Sequence, residues 1–313
     1  MNTVRNALLV LLLPLSSYTI GFDNYKVGEP ASAVTKQDTL DDLVADGAKP
    51  KLISSQFKFT EGPAVDREGN VFFTDQPNDK IWKFDTKGEL SVFLEKSGRS
   101  NGMYFDKKGN LITAADEKNQ FWSISPDKKI TILLDKYKGQ RLNGPNDLWI
   151  DKKGGIFFTD PYYQRPYWGR KKPELSDERV YYLPRGKKEA MVVDSNLVRP
   201  NGIIGSANGK NLFVADINDR KIYKYDINKN GTLSNRRLFV PMGSDGMTLD
   251  NKGNLYITGQ GVTVFNPEGK KIINIPLPGW TANVCFGGVN RDLLFITSNI
   301  SVYTLQMKVK GSQ

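Results

Sequence analysis

The chain has 313 residues, 39% of them hydrophobic, and its 44 Lys and Arg outnumber 34 Asp and Glu to give a formal charge of +10. It contains no histidine and a single cysteine, Cys285. Ser-His-Asp and Cys-His hydrolysis, imidazole-bound zinc, histidine general bases and an intrachain disulfide are thereby excluded. Any chemistry must use oxygen ligands, carboxylates, Lys, Tyr or backbone.

At the N-terminus, Arg5 precedes an apolar run over residues 7–15, too short to span a bilayer and laid out like a secretory signal. Residues 1–21 are therefore expected to be a signal peptide or uncleaved N-terminal anchor, and the protein to be exported to the periplasm or secreted. Residues 22–45 are polar and mixed in charge, and read as a linker with one short helical turn at 40–44. From about residue 46 to 310 the strand-like alternation is continuous, enough for one closed domain.

Within that domain one phrase recurs. Turns beginning at Asp66, Asp106, Asp151, Ser206 and Asp250, with a degenerate copy at Asn290, are each followed by a β-prone run such as Val71-Phe-Phe-Thr or Leu255-Tyr-Ile-Thr. The intervals of 40, 45, 55, 44 and 40 residues match four-stranded propeller blades. The expected fold is thus all-β, a six-bladed β-propeller. Its ring should close by pairing residues 52–59 with the C-terminal strand at 301–309, which removes an exposed edge.

Five residues before each of the first five turns stand Glu61, Asn101, Asn146, Asn201 and Asp245. Equivalent positions in a propeller are related by rotation, so these side chains should converge on the mouth of the channel. Asn-Gly and Asp-Gly are ordinary turn dipeptides, but five oxygen-bearing side chains in one register, one a Glu before Gly-Pro, argue for a ring. An all-oxygen ring suits one hard divalent cation, Ca²⁺ ahead of Mg²⁺, Mn²⁺ or Zn²⁺.

The longest interval holds Tyr162, Tyr163, Tyr167 and Trp168 ahead of Arg170-Lys-Lys, extra residues that could form a lid or an aromatic wall, or pack only on themselves. Asp75, Asp116, Asp160 and Asp216 recur after the second strand of their blades and are expected to stabilise turns, a strand length from the mouth. The lysines, as in Lys107-Lys108, Lys152-Lys153 and Lys187-Lys188, read as solvated hairpin tips rather than a nucleic-acid face, with weak affinity for anionic surfaces.

The motifs Phe59-Thr-Glu-Gly-Pro, Ser100-Asn-Gly-Met, Arg141-Leu-Asn-Gly-Pro-Asn-Asp, Phe158-Thr-Asp-Pro, Arg199-Pro-Asn-Gly-Ile, Ser244-Asp-Gly-Met and Asn283-Val-Cys-Phe-Gly-Gly, in this order, resemble the gluconolactonase, senescence-marker-protein and luciferin-regenerating-enzyme-like group, closest to its bacterial gluconolactonase-like members. The resemblance implies a divalent metal held by Glu61, Asn201 and Asp245, with Asn146 as a further ligand or substrate contact. Asn101 lies nearby, and Asn143 matches the first Asn of a family motif.

The expected function is hydrolysis of a lactone, a sugar lactone such as an aldonolactone foremost. The metal would polarise the ester carbonyl, Asp245 would be the general base or water orienter, and Glu61 the charge-balancing ligand. Asn101, Asn143, Asn146, Tyr162 and Tyr163 are the candidate substrate contacts. The alternative is a non-catalytic, metal-stabilised binding or interaction module of the cell envelope. The expected partner is a small lactone or ester, with no nucleic acid, no stable membrane insertion beyond an N-terminal anchor, and a monomeric state.

Overall fold

The computed structural model describes residues 39–313; the expected leader and most of the expected linker lie outside the described residues. Alternating apolar positions and Asx turns build six antiparallel blades around one axis. The first four are separate four-stranded sheets, with inner strands Thr60–Val65, Ser100–Phe105, Leu148–Ile150 and Pro200–Gly205. The last two are joined because two long strands run on between them.

Leu255–Phe265 pairs through its first half with Met247–Leu249 and through its second with Lys271–Ile275, the change falling at Gly259 and Gly261, both at positive φ. Lys271–Gly287 then carries the chain to the inner position of the sixth blade, where Thr281–Gly287 pairs with Leu293–Ser298. No helix among the described residues is long and apolar enough to cross a membrane.

The turns hold because the Asp at their head is used up locally. Asp66 accepts from the backbone N–H of Asn70 at 2.9 Å and from its side chain at 2.7 Å. Asp106 repeats the arrangement with Asn110, and Asp250 with Asn254. The glycine three residues on, at φ 98° for Gly69 and 85° for Gly253, adopts a backbone that costs other residues strain.

Closure pairs Lys51–Ser54 with Ser301–Gln306, a shorter strand than the 52–59 expected. Residues beyond Ser54 leave the sheet, and Phe57 packs edge-on to Phe73, with ring centroids 5.1 Å apart, while Phe73 lies 5.3 Å from Phe295. All three rings are buried. At about 1.5–3 kcal/mol for each large apolar side chain removed from water, this seam adds a packed core to the strand pairing.

The described part of the expected linker is not a tether. Leu40–Leu43 is one helical turn capped by Thr39 and Asp42, Leu43 is fully buried with Met307 and Val309, and Val44 bridges to Met307. Apolar Leu43-Val44 finds its partner more than 260 residues away in the chain, which local sequence does not reveal.

The sixth turn also sits two residues earlier than Asn290. Gly287 pairs with Leu293 as Val65 pairs with Val71, so the turn begins at Gly288, where Gly288 and Val289 replace the usual Asp-x. Counting back five residues from Gly288 gives Asn283, a sixth member of the ring.

Candidate active site

Each inner strand starts at the mouth and ends at a turn, so the register positions gather at one end of the axis. Glu61, Asn101, Asn146 and Asn201 are buried there, as is Asn283; Asp245 is the least enclosed. The glycine after most ring residues is there for packing rather than for turning. A Cβ on Gly102 would stand 2.6 Å from the carbonyl oxygen of Asn146 and 2.5 Å from Oδ1 of Asp147. Cβ atoms at Gly62, Gly202 and Gly246 would collide with Asn101, Asp245 and Asn283 respectively. Neighbouring inner strands therefore approach so closely that Asn-Gly and Asp-Gly here mark the crowded axis.

The third blade departs from this pattern, since Asp147 occupies the glycine position. Its carboxylate is buried and accepts from the N–H of Leu148 at 2.9 Å and of Ile203 at 3.4 Å. Burial pushes its carboxyl up to about 7. Asn283 donates through Nδ2 to Oε2 of Glu61 at 3.0 Å. Glu61 is lifted well above the ordinary carboxylate range, first by burial and then by the charge of Asp245. Asp245 itself is raised to about 6 by burial, offset by hydrogen bonds from Trp280, whose Nε1 donates at 3.1 Å, and from Asn201.

Two carboxylates raised by burial, together with amide oxygens, form a donor set that a hard cation would relieve. The buried Oδ1 of Asn101 has no hydrogen-bond partner. A buried amide oxygen left unpaired is costly, so its opening beside these carboxylates fits a bound cation or substrate hydroxyl. Among the described residues no three Asp, Glu, Cys or His cluster as a metal site; the ring is built largely from amides.

The other expected site residues divide. Tyr163 reaches the ring, its hydroxyl accepting from Nδ2 of Asn201 at 3.0 Å, and burial pushes its phenol up to about 12. Tyr162 turns instead into the loop, bonding Gln164 and packing against Trp168 and Arg170. Asn143 donates Nδ2 to the carbonyls of Asp177 at 2.9 Å and Asp160 at 3.3 Å and so fastens the loop, while its buried Oδ1, like that of Asn101, has no hydrogen-bond partner.

That loop, residues 161–178, is a fixed wall. Asp116 of the second blade is buried and accepts from Arg165 Nε at 3.0 Å and the Tyr167 hydroxyl at 2.5 Å, while its carbonyl accepts from Trp168 Nε1 at 2.9 Å. Asp116 is therefore a latch, and not the turn-stabilising residue expected from its register. Its counterparts hold backbone instead, that of the segment leading into their own blade's inner strand: Asp75 accepts from the N–H groups of Lys58 and Phe59, Asp160 from Asn143 and Gly144, Asp216 from Val198 and Arg199.

These aspartates are nonetheless not a strand length from the mouth. Asp75 pairs with Thr60 and Asp216 with Pro200, because the second strand runs antiparallel and returns to the end where the first began. Asp147, Asn283, Trp280 and Arg165 are site residues that register counting missed. The signal was available for Asp147, the one blade where Asx-Gly becomes Asn-Asp. Asn283 was hidden by the degenerate sixth turn, which misplaces the count by two residues; Trp280 lies on the same long strand outside the repeated register, and Arg165 in a loop of no fixed period.

The SMP-30/Gluconolactonase/LRE-like region matches residues 59–300. The chain is 28% identical to the gluconolactonase of Zymomonas mobilis over 91% of its length and 88% of that protein's. It is also 28% identical to the lactonase drp35 of Staphylococcus haemolyticus, covering 85% of this chain and 89% of the other. In structure it is similar to a gluconolactonase from Xanthomonas campestris, with a TM-score of 0.79 and 27% identity over 85% of this chain and 91% of the other. The chain belongs to the SMP-30/gluconolactonase/LRE-like family.

Proposed function

We propose that this protein is a lactone-hydrolysing enzyme whose substrate is a sugar lactone such as an aldonolactone. The named lactonases and gluconolactonases among its relatives support the enzyme class over a non-catalytic module. The observation that carries the site assignment is the oxygen ring itself: Glu61 and Asp245 share one buried mouth with the unpartnered Oδ1 of Asn101.

Glu61, Asn146, Asn201 and Asp245 would hold a divalent cation, Ca²⁺ by the all-oxygen chemistry of the donors. When bound, the cation supplies Lewis acidity that polarises an ester carbonyl and acidifies water. Asp245 is the residue placed to take the proton of the attacking water, since Trp280 fixes one oxygen, Oδ2, and orients the carboxylate at the open side of the ring. The same proton returns to the ring oxygen as the lactone opens, and the second proton of the water leaves with the new carboxyl group, so that the products are one hydroxyl, one carboxylate and a proton released to solvent. Asn101 accepts from a substrate hydroxyl or joins the cation, and Tyr163 holds the Asn201 amide in position.

The leader-like residues 1–21 support export of the enzyme. The test of the central reading is base consumption on adding glucono-δ-lactone, measured with the purified protein, after chelation, and after restoring Ca²⁺ or Mn²⁺. Acceleration that stops with chelator and returns with cation is expected. A rate equal to the uncatalysed reaction under all three conditions, across several lactones, would overturn it.

A further inference from the structure

The inner strands end, opposite the ring, in turns that carry much of the lysine. We propose that this turn face is a docking surface for an anionic lipid bilayer, with the channel mouth held away from it. Between the turns of the second and third blades lies a groove of about 380 Å³, lined by Lys107, Lys108, Lys152, Lys153, Lys187 and Lys188. All six are exposed.

Two acids, Asp106 and Asp151, line the groove against these six lysines and leave it with a net positive charge. Asp106 and Asp151 are turned inward to their own backbone amides. The ammonium groups of Lys107, Lys153 and Lys188 donate to the carbonyls of Lys152, Lys229 and Ile132 at 2.7, 2.5 and 3.0 Å, which are neutral acceptors. Around the mouth the pattern is different, for Arg165, Arg199 and Arg99 each face a carboxylate, Asp116, Glu178 and Glu117. The turn face thus gathers into one groove six lysines with no carboxylate partner among the described residues, whereas three of the arginines around the mouth are paired.

A second observation selects a membrane over nucleic acid. The described chain begins on this same face, where Gly311 bridges to the turn residue Asp250 and Lys308 donates its backbone N–H to Leu43 at 2.8 Å. The Lys308 ammonium donates to the carbonyl of Asp41 at 2.8 Å and the carboxylate of Asp46 at 2.5 Å, which makes it the one lysine named here that is paired. Upstream of that point lie 38 residues that include the apolar run 7–15. An apolar segment and a polybasic patch are the two signals whose combination gives stable membrane attachment where either alone is marginal. Juxtamembrane lysines near an anionic leaflet each strengthen binding about fivefold.

The experiment uses the full chain and sedimentation with vesicles of phosphatidylcholine alone or with about 30% phosphatidylglycerol, an anionic surface of physiological order. Lys107→Gln, Lys108→Gln, Lys152→Gln and Lys153→Gln combined should weaken binding to the anionic vesicles at least about tenfold. The control combines Lys118→Gln, Lys136→Gln, Lys171→Gln and Lys172→Gln, the same change of charge away from the turn face, and should bind like the parent.

Equal losses in both variants would mean that net charge alone drives binding, and the docking face would be wrong. Displacement of the vesicles by duplex DNA at matched phosphate would replace the lipid with nucleic acid as partner. The unaltered chain gives an independent measurement, since bound vesicles should shield Lys107, Lys108, Lys152 and Lys153 from acetylation and leave Lys171 and Lys172 reactive. Uniform labelling with and without vesicles would reject the orientation.

Discussion

The two ends of the inner strands are built from the same repeat and have opposite characters. At the mouth, strands crowd the axis so closely that four of the blades need glycine between them, and most of the ring side chains beside those glycines are buried. At the other end the strands splay into Asx turns whose carboxylates are absorbed by backbone amides and whose lysines stand in water. Repetition therefore yields chemistry only where close packing removes solvent, because there a carboxylate can neither hydrate nor choose its neighbours.

The largest expected effect comes from the mouth. Asp245→Asn keeps an oxygen of similar shape but loses the charge and proton acceptor, so turnover on the best lactone should fall about 10²–10⁴-fold at saturating cation. Glu61→Gln should lose cation affinity first and recover part of its rate with excess Ca²⁺. Titrating both variants with cation while following hydrolysis separates the two carboxylates. An Asp245→Asn enzyme as fast as the parent would place the base elsewhere.

Next is the packing that creates the mouth. Gly202→Ala sets a methyl against the carbonyl of Asp245 and should destabilise the fold by about 1–3 kcal/mol, the range for overpacked cores. Gly209→Ala at a turn, where φ is 74° but only a flexible lysine side chain lies near, should cost less. Denaturant melts of the two variants compare them, and a milder Gly202 substitution would contradict the crowding argument.

A smaller effect is expected at the latch. Asp116→Asn weakens the grip on Arg165 and Tyr167 without touching the ring, so KM should rise about tenfold, roughly the loss of one charged hydrogen bond, with kcat little changed. A fall in kcat alone would instead make Asp116 part of the chemistry.

The last effect is a pH dependence. Asp160 is raised to about 7 by burial, above its unfolded value of about 3.9, so the folded chain holds a proton that the unfolded chain releases. The stability linked to it is fully present below about pH 4 and lost as pH rises through 7. Metal-free parent protein should therefore melt higher at pH 5 than at pH 7.5, and Asp160→Asn should reduce that difference, the remainder belonging to Asp147, Glu61 and Asp245. An identical slope in both proteins would show that Asp160 is charged in the fold.

Much of this was legible in the sequence, for a reason tied to rotation. Six blades make six similar turns, and a fixed offset from each turn finds Glu61, Asn101, Asn146, Asn201 and Asp245 without any contact being known. The absence of histidine likewise confined the chemistry to oxygen. What the chain by itself could not disclose are relations between blades. Glycine beside Asn101 or Asn201 reads as a turn until the neighbouring strand is seen pressing on it. Asp116 looks like Asp75, Asp160 and Asp216 until a loop from the next blade arrives at its carboxylate. Asn283 and Trp280 join the ring only because a long strand brings the sixth blade against the first and fifth. Local sequence sets each blade, since turns and alternation act over a few residues. The site belongs to the closed ring, since its partners are separated by up to 222 residues and meet only when the blades pack around one axis.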